Sequence, residues 1–176
     1  SENWSRPENE INGIKKLIVK AITDQVPELK EQGVMLTFFG DISSFGKEIK
    51  SKISTAEDDT FIQNPKLKLN VALAYGGRQD IVNICKKIVS NYDVGHINKN
   101  DIDEELIASA SEVPDDKTDL IIRTGGDKRL SNFLLFQAAY AEIMFEDKLW
   151  PDFTRNDFIK CLDSFKKVSR RFGKRT

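Results

Sequence analysis

The residues best suited to chemistry stand in one run, Arg123-Thr124-Gly125-Gly126-Asp127-Lys128-Arg129-Leu130-Ser131-Asn132. A short apolar stretch, Leu120 to Arg123, reads as a strand that delivers Arg123 at its end. Gly125 and Gly126 let the backbone turn sharply and come close to a ligand. Lys128 and Arg129 follow in the loop, and Ser131 is placed to cap a helix running to about Ala139. Guanidinium groups hold phosphate oxygens with paired hydrogen bonds, and a helix start adds free N–H groups at a positive dipole end. This combination makes a cradle for a phosphate or diphosphate. The competing reading is a plain loop with a capping serine and solvated arginines. The spacing is neither a Walker loop nor a dinucleotide fingerprint, so it selects no particular ligand.

Three further groups deserve weighing. Glu142 lies in the apolar stretch AYAEIMF, where a carboxylate is costly unless paired or bound to a cation. It suits Mg²⁺ beside a diphosphate, since hard cations take oxygen ligands; equally it suits the exposed face of an edge strand. The opening Glu2-Asn3-Trp4-Ser5-Arg6 puts an acid, an amide, an aromatic ring and a guanidinium within five residues. Tyr75-Gly76-Gly77-Arg78 reads as a strand-to-helix turn.

Elements alternating between helix and strand must position these groups. Ile11, Ile14, Leu17, Ile18, Ile22, Val26 and Leu29 recur at helical spacing over 8–31, with Pro7 at the start and Gly33 as a stop signal. Val34 to Phe39 reads as a strand, followed by an Asp41-capped helix from Ser44 to about Ala56. Leu67 to Tyr75 is a second strand, and Arg78 to about Asn91 a helix. A short helix covers Asp103 to Ala110. After the Arg123 strand come the Ser131 helix, a last strand at Glu142 to Phe145, and an amphipathic helix from Thr154 to Phe172 with Phe158, Leu162, Phe165 and Val168 on one face. Such alternation predicts an α/β fold with a mostly parallel central sheet flanked by helices, and in such sheets ligands bind beyond the carboxyl ends of the strands.

The 176 residues fit a single domain, 1–176. The 39% hydrophobic content supports a globular core, and no apolar run is long enough for a transmembrane helix. Twenty-seven basic and 28 acidic residues leave a net charge of −1, which argues against a nucleic-acid partner. Charge is uneven, however: Lys166 to Thr176 holds six basic residues and no acid, suiting either a solvated helix end or an anion or partner site. Cys85 and Cys161 each fall in an apolar helical pattern, as buried free thiols of a cytoplasmic protein do. His96 is the sole histidine, so His/Cys metal sites are not expected.

The chain resembles the cis-prenyltransferases, and within them the undecaprenyl diphosphate synthase group. The matching pieces are SENWSRP at 1–7, LNVALAYGGRQDIV at 69–82, DLIIRTGGDKRLSNFLLFQAAYAEIMF at 119–145, WPDF at 150–153 and RRFG at 170–173. The resemblance implies condensation of isopentenyl diphosphate with an allylic diphosphate, usually farnesyl diphosphate, to a long-chain polyprenyl diphosphate, in a fold with an apolar tunnel for the growing chain. It implies that Arg123, Arg129 and Ser131 bind the diphosphate of isopentenyl diphosphate, that Leu130 is a further substrate-binding position, and that Glu142 is a Mg²⁺ ligand. Asn3 matches the amide of the proton-removal step; Ser1, Glu2, Trp4 and Arg6 match substrate contacts. Ile14, Leu17 and Ile18 match tunnel-lining positions, Leu67 a residue near the tunnel floor, and Arg171 and Gly173 an element reaching the partner subunit's site.

The resemblance starts inside the family's Phe-Ser-x-Glu-Asn-Trp motif, and the sequence carries no Asp-Gly-Asn-Gly-Arg loop, the family's cradle for the allylic diphosphate. The expectation is therefore a chain with the first strand–helix unit missing and with impaired turnover on its own. The alternative is a non-catalytic partner subunit, or a split or decayed gene product, that keeps the fold and dimer interface. Ala74 stands where the family usually has asparagine. Apolar and aromatic residues from Phe133 to Trp150 predict a homodimer, and the lipid product allows peripheral membrane association.

Overall fold

The computed structural model describes residues 7–115 and 117–170. The long apolar period produces α1 (Glu8–Gln32), which ends where Gly33 turns left-handed at φ 71. Strand β1 (Val34–Phe39) follows, then a 3-10 turn (Ile42–Phe45) and α2 (Lys47–Thr60). The helix expected over Ser44 to Ala56 is thus split at Gly46, whose φ of 94 suits neither piece. Strand β2 (Leu67–Ala72) pairs parallel with β1, from Val34↔Leu67 to Phe39↔Ala72.

Helix α2 faces the sheet through Ile49, Ile53, Ala56 and Thr60, a repeat of four, three and four residues that keeps one stripe inward. Its side chains also finish the sheet. The Leu36 amide donates to Thr60 Oγ1 at 3.1 Å and the Phe38 amide to Glu57 Oε1 at 2.7 Å. These are amides on the side of β1 away from β2, so α2 seals that edge. Leu36, Phe38, Phe45, Ile49, Ile53, Ala56 and Leu73 form the buried cluster, and Ile14, Ile18, Val19, Ile22, Val26 and Leu29 of α1 close over it.

The second half begins with α3 (Gly77–Asp93), a 3-10 turn (Lys99–Asp101) and α4 (Glu104–Ala110). Strand β3 (Leu120–Thr124) pairs parallel with β4 (Glu142–Glu146), from Leu120↔Glu142 to Thr124↔Glu146. A 3-10 turn (Trp150–Asp152) leads to α5 (Arg155–Phe165), whose capping box joins Thr154 and Asp157. The α/β class with parallel strands holds, but among the described residues the strands form two separate pairs, β1–β2 and β3–β4.

Three expectations need correction. Residues 131–139 form a series of turns, not a helix, because Ser131, Asn132 and Leu134 take left-handed φ values of 46, 63 and 47. The last helix stops at Phe165 rather than Phe172. Beyond it Arg170 folds back to an ion pair with Asp119 and a hydrogen bond to the Tyr140 carbonyl, its guanidinium 5.8 Å above the Phe165 ring. Cys161 is buried, but Cys85 is exposed because it sits on the outer side of α3 with Ile81, Val82 and Val89.

Candidate functional site

A cleft of about 380 Å³ opens over one face of the β3–β4 pair. Its apolar floor includes Ile121, Phe133, Ile143 and Phe145, and its rim carries Arg123, Arg129, Leu130 and Ser131. The alternation of a strand explains the division. Ile121 and Arg123 share a face of β3, and the register sets Ile143 and Phe145 of β4 beside them.

Arg123 organises the rim. Its Nη1 donates to Ser131 Oγ at 2.8 Å and to the Arg129 carbonyl, and its Nη2 to Asp127 Oδ2 at 3.2 Å. Arg129 Nη2 reaches the same Asp127 oxygen at 2.5 Å. One carboxylate therefore serves two guanidinium groups. The turn between β3 and Asp127 is fixed from below: the Gly125 amide donates to the Lys148 carbonyl at 2.8 Å and the Gly126 amide to the Glu146 carbonyl at 3.0 Å. With φ values of 95 and 80, these two positions need glycine.

The structure thus brings Arg123, Arg129 and Ser131 together, but without the helix start expected at Ser131. No helix begins at Ser131; its hydroxyl is instead presented from a left-handed residue. Asn132, the last residue of the run and one to which the sequence assigns no role of its own, links this loop to α3. Its carbonyl accepts from the Gly77 amide at 2.7 Å and its Oδ1 from the Arg78 amide at 2.8 Å.

Beneath the loop lies a buried polar knot that sequence reading also missed. Asp80, 2% exposed, accepts from Ser111 Oγ at 2.7 Å, from the Glu112 amide at 3.1 Å and from the Tyr75 hydroxyl at 3.3 Å. Burial, and then the Asp80 charge, raises both the Tyr75 phenol and the Glu112 carboxyl above their ordinary values. The signal was an acid within the apolar run QDIVNIC.

Other candidates fall elsewhere. Glu142 pairs with Leu120 while Arg123 pairs with Phe145, so Glu142 lies on the opposite face of the strands and about 10 Å along them. Among the described residues no three His, Cys, Asp or Glu side chains stand together as a metal site. Ile14 and Ile18 pack against the buried cluster, whereas Leu17 is 67% and Leu67 58% exposed. Ser1, Glu2, Asn3, Trp4, Arg6, Arg171 and Gly173 lie outside the described residues. None of the described helices is long and apolar enough to cross a membrane.

Comparison with known proteins gives one consistent set of relatives. The family described as "Putative undecaprenyl diphosphate synthase" matches residues 1–173. A ditrans,polycis-undecaprenyl-diphosphate synthase specific for (2E,6E)-farnesyl diphosphate, from Buchnera aphidicola, is 44% identical over 176 residues, covering 98% of this chain and 69% of its own. The synthase of the same description from Yersinia pestis is 42% identical over 174 residues, with 98% and 69% covered. Among solved structures, the lavandulyl diphosphate synthase of Lavandula x intermedia, in complex with dimethylallyl diphosphate, superposes with a TM-score of 0.92 at 32% identity, covering 98% of this chain and 75% of that one. A "probable undecaprenyl diphosphate synthase" from Campylobacter jejuni superposes with a TM-score of 0.86 at 32% identity, with 98% and 79% covered.

Proposed function

The chain belongs to the undecaprenyl diphosphate synthase family of cis-prenyltransferases, and from that premise we propose that it takes part in cis-prenyl chain elongation, with isopentenyl diphosphate held in the β3–β4 cleft and farnesyl diphosphate as the allylic partner. In this reaction the allylic carbon–oxygen bond breaks, a carbon–carbon bond forms to isopentenyl diphosphate, and a proton and inorganic pyrophosphate leave. The observation that carries the reading is the two-part cleft. Arg123, Arg129 and Ser131 suit a diphosphate at the rim, and Ile121, Phe133, Ile143 and Phe145 suit a short hydrocarbon below it. Apolar walls also keep water from a carbon gaining positive charge. Asn3 is assigned the proton-removal step, and Ser1, Glu2, Trp4 and Arg6 further substrate contacts.

Mg²⁺ is the cofactor this chemistry implies, since it screens diphosphate charge as the leaving group departs. Among the described residues no three His, Cys, Asp or Glu side chains stand together around such an ion, and Glu142 lies on the other face of the strands from Arg123. We place the protein in the cytoplasm as a homodimer, with Arg171 and Gly173 directed to the neighbouring subunit and peripheral membrane contact through the lipid product.

Titration calorimetry with isopentenyl diphosphate or pyrophosphate tests the cleft. Arg129→Ala should weaken binding by about tenfold or more, because charge-assisted hydrogen bonds contribute about 1.5–3 kcal/mol. A chain that binds neither ligand would instead fit a non-catalytic partner subunit.

A further inference from the structure

The loop carrying Arg129 and Ser131 is held in a conformation its residues do not favour. Ser131, Asn132 and Leu134 have φ values of 46, 63 and 47. Left-handed residues other than glycine persist only where their surroundings over-determine them. Here two neighbours do so. Ser131 Oγ accepts from Arg123 Nη1 at 2.8 Å. One residue on, Asn132 accepts twice from the start of α3, through its carbonyl from the Gly77 amide and through Oδ1 from the Arg78 amide.

Helix α3 needs this partner. Its N-cap is Gly76, which offers no side-chain cap, and the first amides of a helix have no acceptor within it. Asn132 satisfies two of them, those of Gly77 and Arg78, from more than 50 residues away in the sequence. The approach is close: a Cβ at Gly77 would lie 2.7 Å from Leu135 Cγ. Further along the same loop, Gln137 Nε2 donates to Ser111 Oγ at 3.0 Å, and Ser111 donates to Asp80 in the first turn of α3. The loop is therefore tied to α3 at both ends, and a single peptide separates that tie from Ser131.

We propose that Asn132 is a positioning residue of the anion cleft: by fastening the loop to the start of α3 it sets Ser131 and Arg129 against Arg123, so that diphosphate affinity depends on a side chain outside the ligand's reach. The inference rests on the reading of the cleft given above, and its test separates the two. Pyrophosphate affinity is measured by calorimetry for the full chain and for Arg129→Ala, Asn132→Ala and Asn132→Gly, each well below its own melting temperature. Asn132→Ala should bind about tenfold more weakly, the effect of losing one hydrogen bond that orders the site. Asn132→Gly adopts the left-handed conformation freely and keeps the carbonyl bond to Gly77, so it should recover part of the affinity. A purely structural cap would lower the melting temperature of Asn132→Ala and leave its affinity at the wild-type value; that result overturns the inference. If Asn132→Ala does not fold, wild-type affinity in Asn132→Gly overturns it equally. Undiminished binding in Arg129→Ala would instead remove the cleft itself as the anion site.

Discussion

Asp127 occupies the two guanidinium groups that a diphosphate would need, which makes Asp127→Asn the most informative change to the cleft. Its Oδ2 lies 3.2 Å from Arg123 Nη2 and 2.5 Å from Arg129 Nη2, with 47% of its side chain and 65% of that of Arg129 exposed. At such exposure each ion pair contributes only about 0.2–1 kcal/mol. A phosphate oxygen held by the same arginines would sit roughly 5 Å from the carboxylate, where repulsion in a water-like dielectric is about 0.8 kcal/mol per unit charge. Releasing the pairs and removing the repulsion together amount to about 1–2 kcal/mol. The substitution should therefore tighten pyrophosphate binding by about five- to thirtyfold at low ionic strength. Asparagine keeps the size and one acceptor oxygen, so the loop stays filled. In 0.5 M salt the screening length falls to about 4 Å, and most of the gain should vanish. Calorimetry at the two salt concentrations measures both numbers. Weaker binding by Asp127→Asn would refute this reasoning, because it would mean that Asp127 holds the arginines in place more than it competes for them.

Gly40→Ala should destabilise the fold by about 3 kcal/mol or more, since its φ is 103 and a Cβ would meet the Leu73 carbonyl oxygen at 2.1 Å; Gly46→Ala, at φ 94 and ψ 166 with open space, carries the backbone strain alone and should cost less, about 1–3 kcal/mol, and thermal melts compare them. Hydrogen bonds from Lys148 and Thr154 hold the Asp157 carboxyl well below its ordinary value of 3.8. That stabilisation is complete above the ordinary value and is lost as pH falls below it, so melting temperature should drop more steeply below about pH 4 in wild type than in Lys148→Met, followed by circular dichroism. Trp150, 74% exposed, stacks on Phe153 at 6.1 Å beside the exposed Leu149. Light scattering should show a dimer that Trp150→Ala weakens, and a clean monomer at tens of micromolar would end the idea.

The order of elements was legible because it rests on local periodicity. The α1 stripe, the strand at Val34 and the short Arg123 strand all emerged where apolar spacing put them. What stayed hidden depends on distant partners. The stretch Ser131 to Tyr140 is rich in leucine, alanine and glutamine, good helix formers, and local preference alone makes it a helix. Its real conformation is imposed by Arg123 on one side and by the bare start of α3 on the other, and no local rule sees either. Glu142 shows a second limit. Its strand follows from local pattern, yet whether it shares a face with Arg123 depends on the register of β3 against β4, and shifting that register by one residue would reverse the answer. Ala74 shows that a departure from a family pattern can carry geometric meaning. It has a φ of 51, in the left-handed region where asparagine is tolerated far better than alanine. An asparagine, which the family resemblance leads one to expect there, would fit this backbone, and this chain holds the turn with alanine. The turn leads straight into Gly76 and Gly77, so α3, Asn132 and the arginine rim hang from one strained corner whose cost the packing of Leu73, Phe39 and Tyr75 must offset.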